Sequence, residues 1–238
     1  MKIRDAASDQ EIDFGFPDKY TKPGIWLSGG ADSAVLLYIL IRYLQETGRE
    51  SNNKITVMTC ANHEKLRWNT RHATNIIDKI VQLTGATCIE RHVTIYRDVQ
   101  AVDYFRELDT EMMDGGQIDI LINGLTKNPP QGVSVENING QMVDLYNHSH
   151  KVASRDQPDG VVLDLWKHTA WYSPFLVNDK RLIAAAYDSF GLRHNLLPLT
   201  RSCEEIPEVD ELGNKTLDEK PCGKCWWCLE RKWAFGHW

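Results

Sequence analysis

The amino-acid sequence predicts an α/β fold, a parallel sheet with helices on both faces, followed by a small cysteine-rich module. Three observations lead there. Short apolar runs alternate with longer stretches of helical period through the first half of the chain, the pattern of a parallel sheet covered by helices. A glycine turn, Ser28-Gly29-Gly30, joins the first of those runs to the first helical stretch. Four of the six cysteines crowd the C-terminal end at two-residue gaps or one loop away.

Taken in order, residues 24–27 form a short buried strand, and a helix follows the glycine turn over about 33–47. Residues 55–59 form a second strand. A helix over about 66–83 places Ala73, Ile76, Ile77, Ile80 and Leu83 on one face, with Gly85 as its terminator. A third strand spans about 87–93, a helix about 99–113 and a fourth strand 118–122. From 125 to 159, Pro129, Pro130, Gly132, Gly140 and Pro158 interrupt every period, and a loop of that length is expected to border the active site as a lid-like insertion. An apolar run at 161–165 and a helix over 178–190 restore regularity. Residues 1–200 thus read as one α/β domain and 201–238 as a four-cysteine module.

Bulk properties exclude several classes of function. The chain has 238 residues, 42% hydrophobic and 25% charged, which is ordinary globular composition. Its net charge of -6 argues against an extended nucleic-acid surface, which needs clustered Lys and Arg. The longest apolar run, 34–41, is too short for a bilayer, and Met1-Lys2-Ile3-Arg4-Asp5 carries no apolar leader segment. A cytoplasmic location follows as an expectation, with neither a membrane nor a nucleic-acid partner, and a reducing compartment disfavours a disulfide framework.

The richest motif is Ser28-Gly29-Gly30-Ala31-Asp32-Ser33, between a strand and a helix. Glycines let the backbone approach an anion closely, and a helix start offers unpaired N–H groups with the positive end of the dipole. Ser28 and Ser33 add hydroxyl donors. Asp32 would repel phosphate unless a cation sits between them, and magnesium held by pyrophosphate is the natural bridge. The plain alternative is a chain-reversing turn in which Asp32 and Ser33 cap the helix. No G-x-x-x-x-G-K-[ST] pattern occurs, which disfavours γ-phosphoryl transfer.

Cys222, Cys225 and Cys228, with Cys203 from across an acidic loop, supply four thiols suited to a closed structural zinc site. An iron–sulfur centre and a set of buried thiols are the alternatives, although the closing C-P of a ferredoxin-type run is missing. Cys60 and Cys88 both read as core residues on predicted strands, although Cys60 falls at the carboxyl end of the second strand, where open α/β sheets bind ligands.

The hexapeptide resembles the S-G-G-x-D-S signature of the PP-loop ATP pyrophosphatases. Thr200-Arg201-Ser202-Cys203, Pro221-Cys222-Gly223-Lys224-Cys225-Trp226-Trp227-Cys228-Leu229-Glu230-Arg231 and Phe235 resemble the zinc-binding end of the 7-cyano-7-deazaguanine synthase family. Ser173-Pro174-Phe175 and Asn178-Asp179-Lys180 resemble its P-[LF] segment and the lysine opening the next helix. The resemblance implies an adenine nucleotide alpha hydrolase-like, Rossmann-like fold that cleaves ATP between its α- and β-phosphates, with ATP, magnesium and zinc as cofactors. Ser28, Gly29, Gly30, Ala31, Asp32 and Ser33 would bind ATP, and Asp32, Ser33 and Lys180 would be catalytic. Cys203, Cys222, Cys225 and Cys228 would hold zinc. The implied substrate is 7-carboxy-7-deazaguanine, converted to a nitrile with ammonia; the oligomeric state stays open, with a homodimer among the options. The middle departs: Cys60-Ala61-Asn62-His63-Glu64 stands for the family's Tyr-Gly-Gln, and 123–130 for its Tyr-Pro-Asp-Cys-Arg. Another carboxylate or nucleobase substrate, a sulfur-transfer or tRNA-modifying activity, and a non-catalytic nucleotide-binding role are the alternatives. His63, Arg67, Arg71 and His72 read as a polar helix face, while nothing in the spacing of His148, His150, Arg155, Lys167 and His168 singles out a catalytic member.

Overall fold

The computed structural model describes residues 1–61, 69–96, 109–148, 155, 163–166, 169–203 and 221–238. Strands β1 (Lys2–Asp5) and β2 (Gln10–Asp13) form an antiparallel hairpin. The central sheet contains β3 (Pro23–Trp26), β4 (Ile55–Ala61), β5 (Ile89–Tyr96), β6 (Ile120–Ile122), β9 (Leu163–Trp166) and β10 (Thr169–Tyr172), in the order β5-β4-β3-β6-β10-β9. All neighbours pair parallel except β9, which lies antiparallel on β10 at the edge. The predicted α/β class is therefore the observed one. The first, second and fourth strands sit within a few residues of expectation, and the third runs three residues further, to Tyr96. The expected helix over 66–83 is seen from Asn69 to Thr84, with 66–68 outside the described residues. Of the stretch expected to be helical over 99–113, residues 109–114 are helical and 99–108 lie outside the described residues.

Burial explains why these runs become parallel strands. Ile25, Val57, Ile120, Ile122 and Tyr172 share the face that meets the main core, together with helix α1 (Ala31–Glu46), helix α2 (Asn69–Thr84) and helix α3 (Lys180–Ser189). Trp26, Met58, Leu121 and Trp171 lie on the opposite face, packed by Met112, Met113 and Ile118 from the segment before β6. Apolar residues on both faces are what continuous strand runs encode. Helix α1 is almost wholly enclosed, with Val35, Leu36, Leu37, Ile39, Leu40 and Ile41 each 0% exposed. An all-round apolar helix is a central one, and it carries the glycine turn at its start.

Reading outward from the middle, the sheet reverses its winding between β3 and β6: β4 and β5 extend one way from β3, while β6 and β10 extend the other. Such a switch point opens a crevice at the carboxyl ends of the strands, where open α/β sheets take their ligands. Within the stretch read from sequence as irregular, strands β7 (Ser134–Glu136) and β8 (Met142–Asp144) form a hairpin. Val135 and Leu145 bury against Trp226 and Leu229 of the last helix, α4 (Trp226–Phe235). Residues 149–154 and 156–159 of that stretch lie outside the described ones. Among the described residues no helix is long and apolar enough to cross a membrane.

Candidate active site

A cavity of about 450 Å³ opens at the switch point, above the ends of β3 and β6. Ser28, Gly30, Ala31, Asp32 and Ser33 form one wall, Asn123 to Thr126 the next, and Lys180 and Arg155 the back. Trp26, Asp109 and Trp171 belong to the sheet face opposite α1, and Arg201, Ser202, Cys203 and Trp227 close the side toward the cysteine module.

The turn is built for close approach. Gly29 has φ +82, and a Cβ there would lie 2.9 Å from the His72 Cβ, so only glycine fits both backbone and neighbour. Gly30 is the N-cap of α1, yet no side chain caps the helix, which leaves its first amides open toward the cavity. Ser28 Oγ lies 3.3 Å from Ser33 Oγ and accepts from Gly30 N, while Ser33 Oγ donates to Gly30 O. The plain capping alternative thus fails for Asp32 and Ser33, since neither carboxylate nor hydroxyl bonds the helix's own first amides. Two outside groups brace the turn: Arg201 N donates to Gly29 O at 2.8 Å, and the Tyr187 hydroxyl donates to Ala31 O at 3.0 Å.

Asp32 belongs to a chain of alternating charge. Its Oδ2 lies 3.1 Å from Lys180 Nζ, which also donates to Glu230 Oε2 at 2.8 Å. Glu230 Oε1 in turn accepts from Arg155, whose guanidinium also reaches Thr126 Oγ1 and the Thr126 and Lys127 carbonyls. Glu230 is 0% exposed, and Lys180 and Arg155 are each 4% exposed at the side chain. Burial works against the charge on Lys180, but the Asp32 and Glu230 carboxylates outweigh it and hold its ammonium above the usual lysine value. Burial would likewise raise Glu230, but Lys180 and Arg155 outweigh it and hold its carboxyl low. At Asp32 burial wins: it lifts the carboxyl above the aspartate range against the pull of Lys180, and Glu230 pushes the same way. Asp32 Oδ1 is buried with no partner among the described residues. A carboxylate oxygen left over beside an open helix N-terminus is the donor that a divalent cation bridging to phosphate requires.

Lys180 is the first residue of α3, where a cation opposes the helix dipole. Asp179 caps that helix, accepting from Arg181 N at 3.0 Å, so the terminus is stable without help from Lys180. The lysine is held there by Asp32 and Glu230.

The cysteine module reaches the same network through α4. The Sγ atoms of Cys203, Cys222, Cys225 and Cys228 all lie within 4.8 Å of one another, with Cys222 and Cys228 at 3.9 Å. Metal–sulfur bonds of about 2.3 Å in a tetrahedron place sulfurs about 3.8 Å apart, so the donor set fits one four-coordinate ion; a four-iron cube would spread the thiolates wider, each on its own iron. Two residues past Cys228, α4 turns Glu230 into the charge chain. Arg231 donates to Thr200 Oγ1 at 2.8 Å and to Leu197 O at 3.1 Å, fixing the strap whose Arg201 braces Gly29.

Every residue of the predicted loop is therefore at the cavity or braced beside it, Lys180 and Cys203 line the same cavity, and Cys222, Cys225 and Cys228 gather with Cys203 in a separate thiol cluster at its side. Of the histidines and basic residues left unassigned by sequence, Arg155 is a member of the charge chain. His72 is structural: its Nδ1 meets Leu199 O at 2.8 Å, and burial lowers its proton affinity. His63, Arg67, His150, Lys167 and His168 lie outside the described residues. Cys88 is buried and its thiol is pushed up to about 12, as an inert core residue would be, while Cys60 lines the cavity. Residues that sequence reasoning missed are Glu230, Asp109, Trp26, Trp171 and Gly124. A Cβ on Gly124 would stand 3.0 Å from the Asp32 carbonyl carbon and 3.1 Å from Ser33 N, so this glycine lets the loop after β6 press against the start of α1.

No family model and no curated protein matches the chain. Among solved structures it is similar to a U34-tRNA thiolase, NcsA, from Methanococcus maripaludis with its 4Fe-4S cluster, at 14% identity and TM-score 0.42 over 73% of this chain and 58% of that one. It is also similar to NMN synthetase from Francisella tularensis, at 12% identity and TM-score 0.41 over 92% and 79% of the two chains. NAD+ synthetase from Burkholderia pseudomallei gives 12% identity and TM-score 0.41 over 92% and 74%. The chain thus spans little more than half the length of the thiolase. Similarities this low carry no functional inference, and the fold rests on the strand order and pairing themselves.

Proposed function

We propose that the chain is an ATP-dependent enzyme that transfers AMP to an acceptor and releases pyrophosphate, with a 7-cyano-7-deazaguanine synthase-like reaction as the specific form. One observation carries this reading: an uncapped helix start behind Ser28-Gly29-Gly30 faces a cavity at the sheet's switch point, with the unpartnered Oδ1 of Asp32 beside it. The open amides of α1 and the hydroxyls of Ser28 and Ser33 bind the β- and γ-phosphates as the leaving group. Asp32 Oδ1 would hold magnesium, which would offset part of the negative charge on the pyrophosphate. Lys180, oriented from behind by Glu230, sets its positive charge where negative charge grows on the departing pyrophosphate, which stabilises the transition state more than the ground state. The loop after β6, pressed onto Asp32 by Gly124, and the Arg201–Cys203 strap hold the acceptor side of the cavity in register.

In the specific form, a carboxylate oxygen of 7-carboxy-7-deazaguanine attacks the α-phosphorus as the α–β bond breaks. Ammonia then attacks the acyl carbon, AMP leaves, and the nitrogen sheds a proton. Adenylation of the resulting amide oxygen by a second ATP, with pyrophosphate leaving, followed by loss of AMP and of both nitrogen-bound protons, gives the nitrile. The four thiolates would hold zinc as a structural ion; a closed set of four ligands leaves no position for substrate. We assign the chain to the cytoplasm as a homodimer with a small-molecule substrate, an ammonia donor and no nucleic-acid or membrane partner. Detection of AMP, pyrophosphate and the nitrile mass from 7-carboxy-7-deazaguanine, ATP and ammonium tests the reading.

A second reading, sulfur transfer, rests on Cys60 alone, whose side chain lines the cavity near the end of β4. It requires that Cys60→Ser abolish turnover while leaving AMP formation intact; unchanged turnover in that variant removes it.

A further inference from the structure

The sheet face opposite α1 contains a part of the cavity that the phosphate chemistry does not use. Trp26 ends β3 and Trp171 lies in β10, on either side of β6. The register sets Leu121 opposite Trp171 on one side and Gly24 on the other, so Trp26, on the same face, lies two strand spacings across and two residues further along, about 12 Å away at the backbone. Both indoles line the cavity while packing at their bases against Met58, Met112 and Ile118. Asp109 joins them from the segment that covers this face. It is 1% exposed, its Oδ1 accepts from Trp26 Nε1 at 3.0 Å, and it too lines the cavity. Asp109 Oδ2 is buried and has no partner among the described residues.

A carboxyl oxygen without a partner inside an apolar wall is an expensive arrangement unless a ligand completes it. Burial also pushes the Asp109 carboxyl up to about 7, against the bond from Trp26, which marks how little the surrounding protein does for its charge. Aromatic walls with one acceptor suit a flat ring that carries an N–H at its edge: the ring covers the indoles and the N–H meets the oxygen. An aliphatic molecule with an N–H could meet the oxygen but offers no flat face to the indoles.

We propose that Trp26, Trp171 and Asp109 form a subsite for a planar, N–H-bearing heteroaromatic ring, recognised by a hydrogen bond to Asp109 Oδ2. The proposal deepens the adenylation reading and rests on it for which molecules bring the ring: it belongs either to the adenine of ATP or to the acceptor. Asp109→Asn makes the geometry testable. With its amide oxygen kept on Trp26 Nε1, the amide NH2 stands where Oδ2 was, turning an acceptor into a donor. The whole chain and this variant are titrated calorimetrically with three probes: magnesium pyrophosphate, adenosine and 7-carboxy-7-deazaguanine. The expected result is a loss of at least tenfold in affinity for one or both ring probes, with magnesium pyrophosphate unchanged within twofold. A loss confined to adenosine assigns the ring to ATP, and one confined to the deazapurine assigns it to the acceptor. Ring affinities equal in the two proteins, or no binding of either ring to the unaltered chain, overturn the proposal. Failure of the unaltered chain to bind magnesium pyrophosphate refutes the phosphate-loop reading instead and leaves the ring result to stand alone. If Asp109→Asn does not fold, Trp171→Leu, which removes one wall, must show the same tenfold loss for a ring probe.

Discussion

Replacing Glu230 by Gln tests whether the buried charge chain holds the module to the phosphate loop. The carboxylate is 0% exposed and is the anion between Lys180, at 2.8 Å, and Arg155, at 2.5 Å. After Glu230→Gln, Lys180 retains Asp32 at 3.1 Å, but Arg155 loses its carboxylate partner and keeps the Thr126 and Lys127 oxygens and the Trp226 ring among the described partners. Breaking a buried pair by removing one partner costs about 3–5 kcal/mol, because a charge is left uncompensated. For a chain of this size that corresponds to a fall in Tm of about 6–20 °C, at about 2–4 °C per kcal/mol. Calorimetry with zinc supplied measures it. A double-mutant cycle with Arg155→Met then isolates the pair, for which a coupling of about 1–3 kcal/mol is expected. A loss under about 1 kcal/mol, with no coupling to Arg155, would show that water shares these charges and would refute the buried network.

Four further outcomes follow from the same geometry. Asp32→Ala and Ser33→Ala should each abolish AMP formation with circular dichroism unchanged, since both side chains face the cavity; unfolding of either variant would make the turn structural instead. Gly124→Ala, whose Cβ meets backbone atoms of Asp32 and Ser33 at 3.0 and 3.1 Å, should weaken ATP binding by tenfold or more, about 1.4 kcal/mol, with a smaller effect on Tm. Because the Asp109 carboxyl is raised from 3.8 to about 7 in the fold, the native state holds the extra proton across that window. Stability should therefore fall as pH rises from about 4 to about 7, by at most about 4 kcal/mol, and Asp109→Asn should remove that slope in urea titrations; an unchanged slope would contradict the assignment. Cys222→Ser should release the metal measured by elemental analysis and expose Trp226, which is 0% exposed and donates to Leu145 O, shifting its emission to the red; a folded variant that binds ATP but has no turnover would make the metal catalytic.

What the sequence shows and what it hides follow from how far apart the partners are. The parallel strands are legible because burial on both faces leaves runs that are apolar at nearly every position, as in residues 55–58, where Thr56 is the one polar member, and 120–122. The phosphate loop and three of the cysteines are legible because each is a contiguous pattern in which spacing is itself geometry. Glu230 and Arg155 lie 75 residues apart, and Trp26 and Asp109 83, and no local period marks such pairs. Arg155 sits among residues that read as one undifferentiated basic segment, and Glu230 lies between the cysteines and an arginine that draw the eye. The β7–β8 hairpin is hidden for a different reason. Its turn, Asn137-Ile138-Asn139-Gly140, reads as interruption, although Val133, Val135, Val143 and Leu145 alternate around it as a one-faced hairpin should. The β1–β2 hairpin and β10 are too short, at four residues each, for a period to stand out.

The central claim is that ATP is cut between its α- and β-phosphates at the Ser28–Ser33 turn, and phosphorus NMR of the products tests it most directly. With magnesium, ammonium and 7-carboxy-7-deazaguanine, the account predicts AMP and pyrophosphate in equal amounts, and neither from Asp32→Ala. Accumulation of ADP and inorganic phosphate, or equal product from Asp32→Ala, would contradict it.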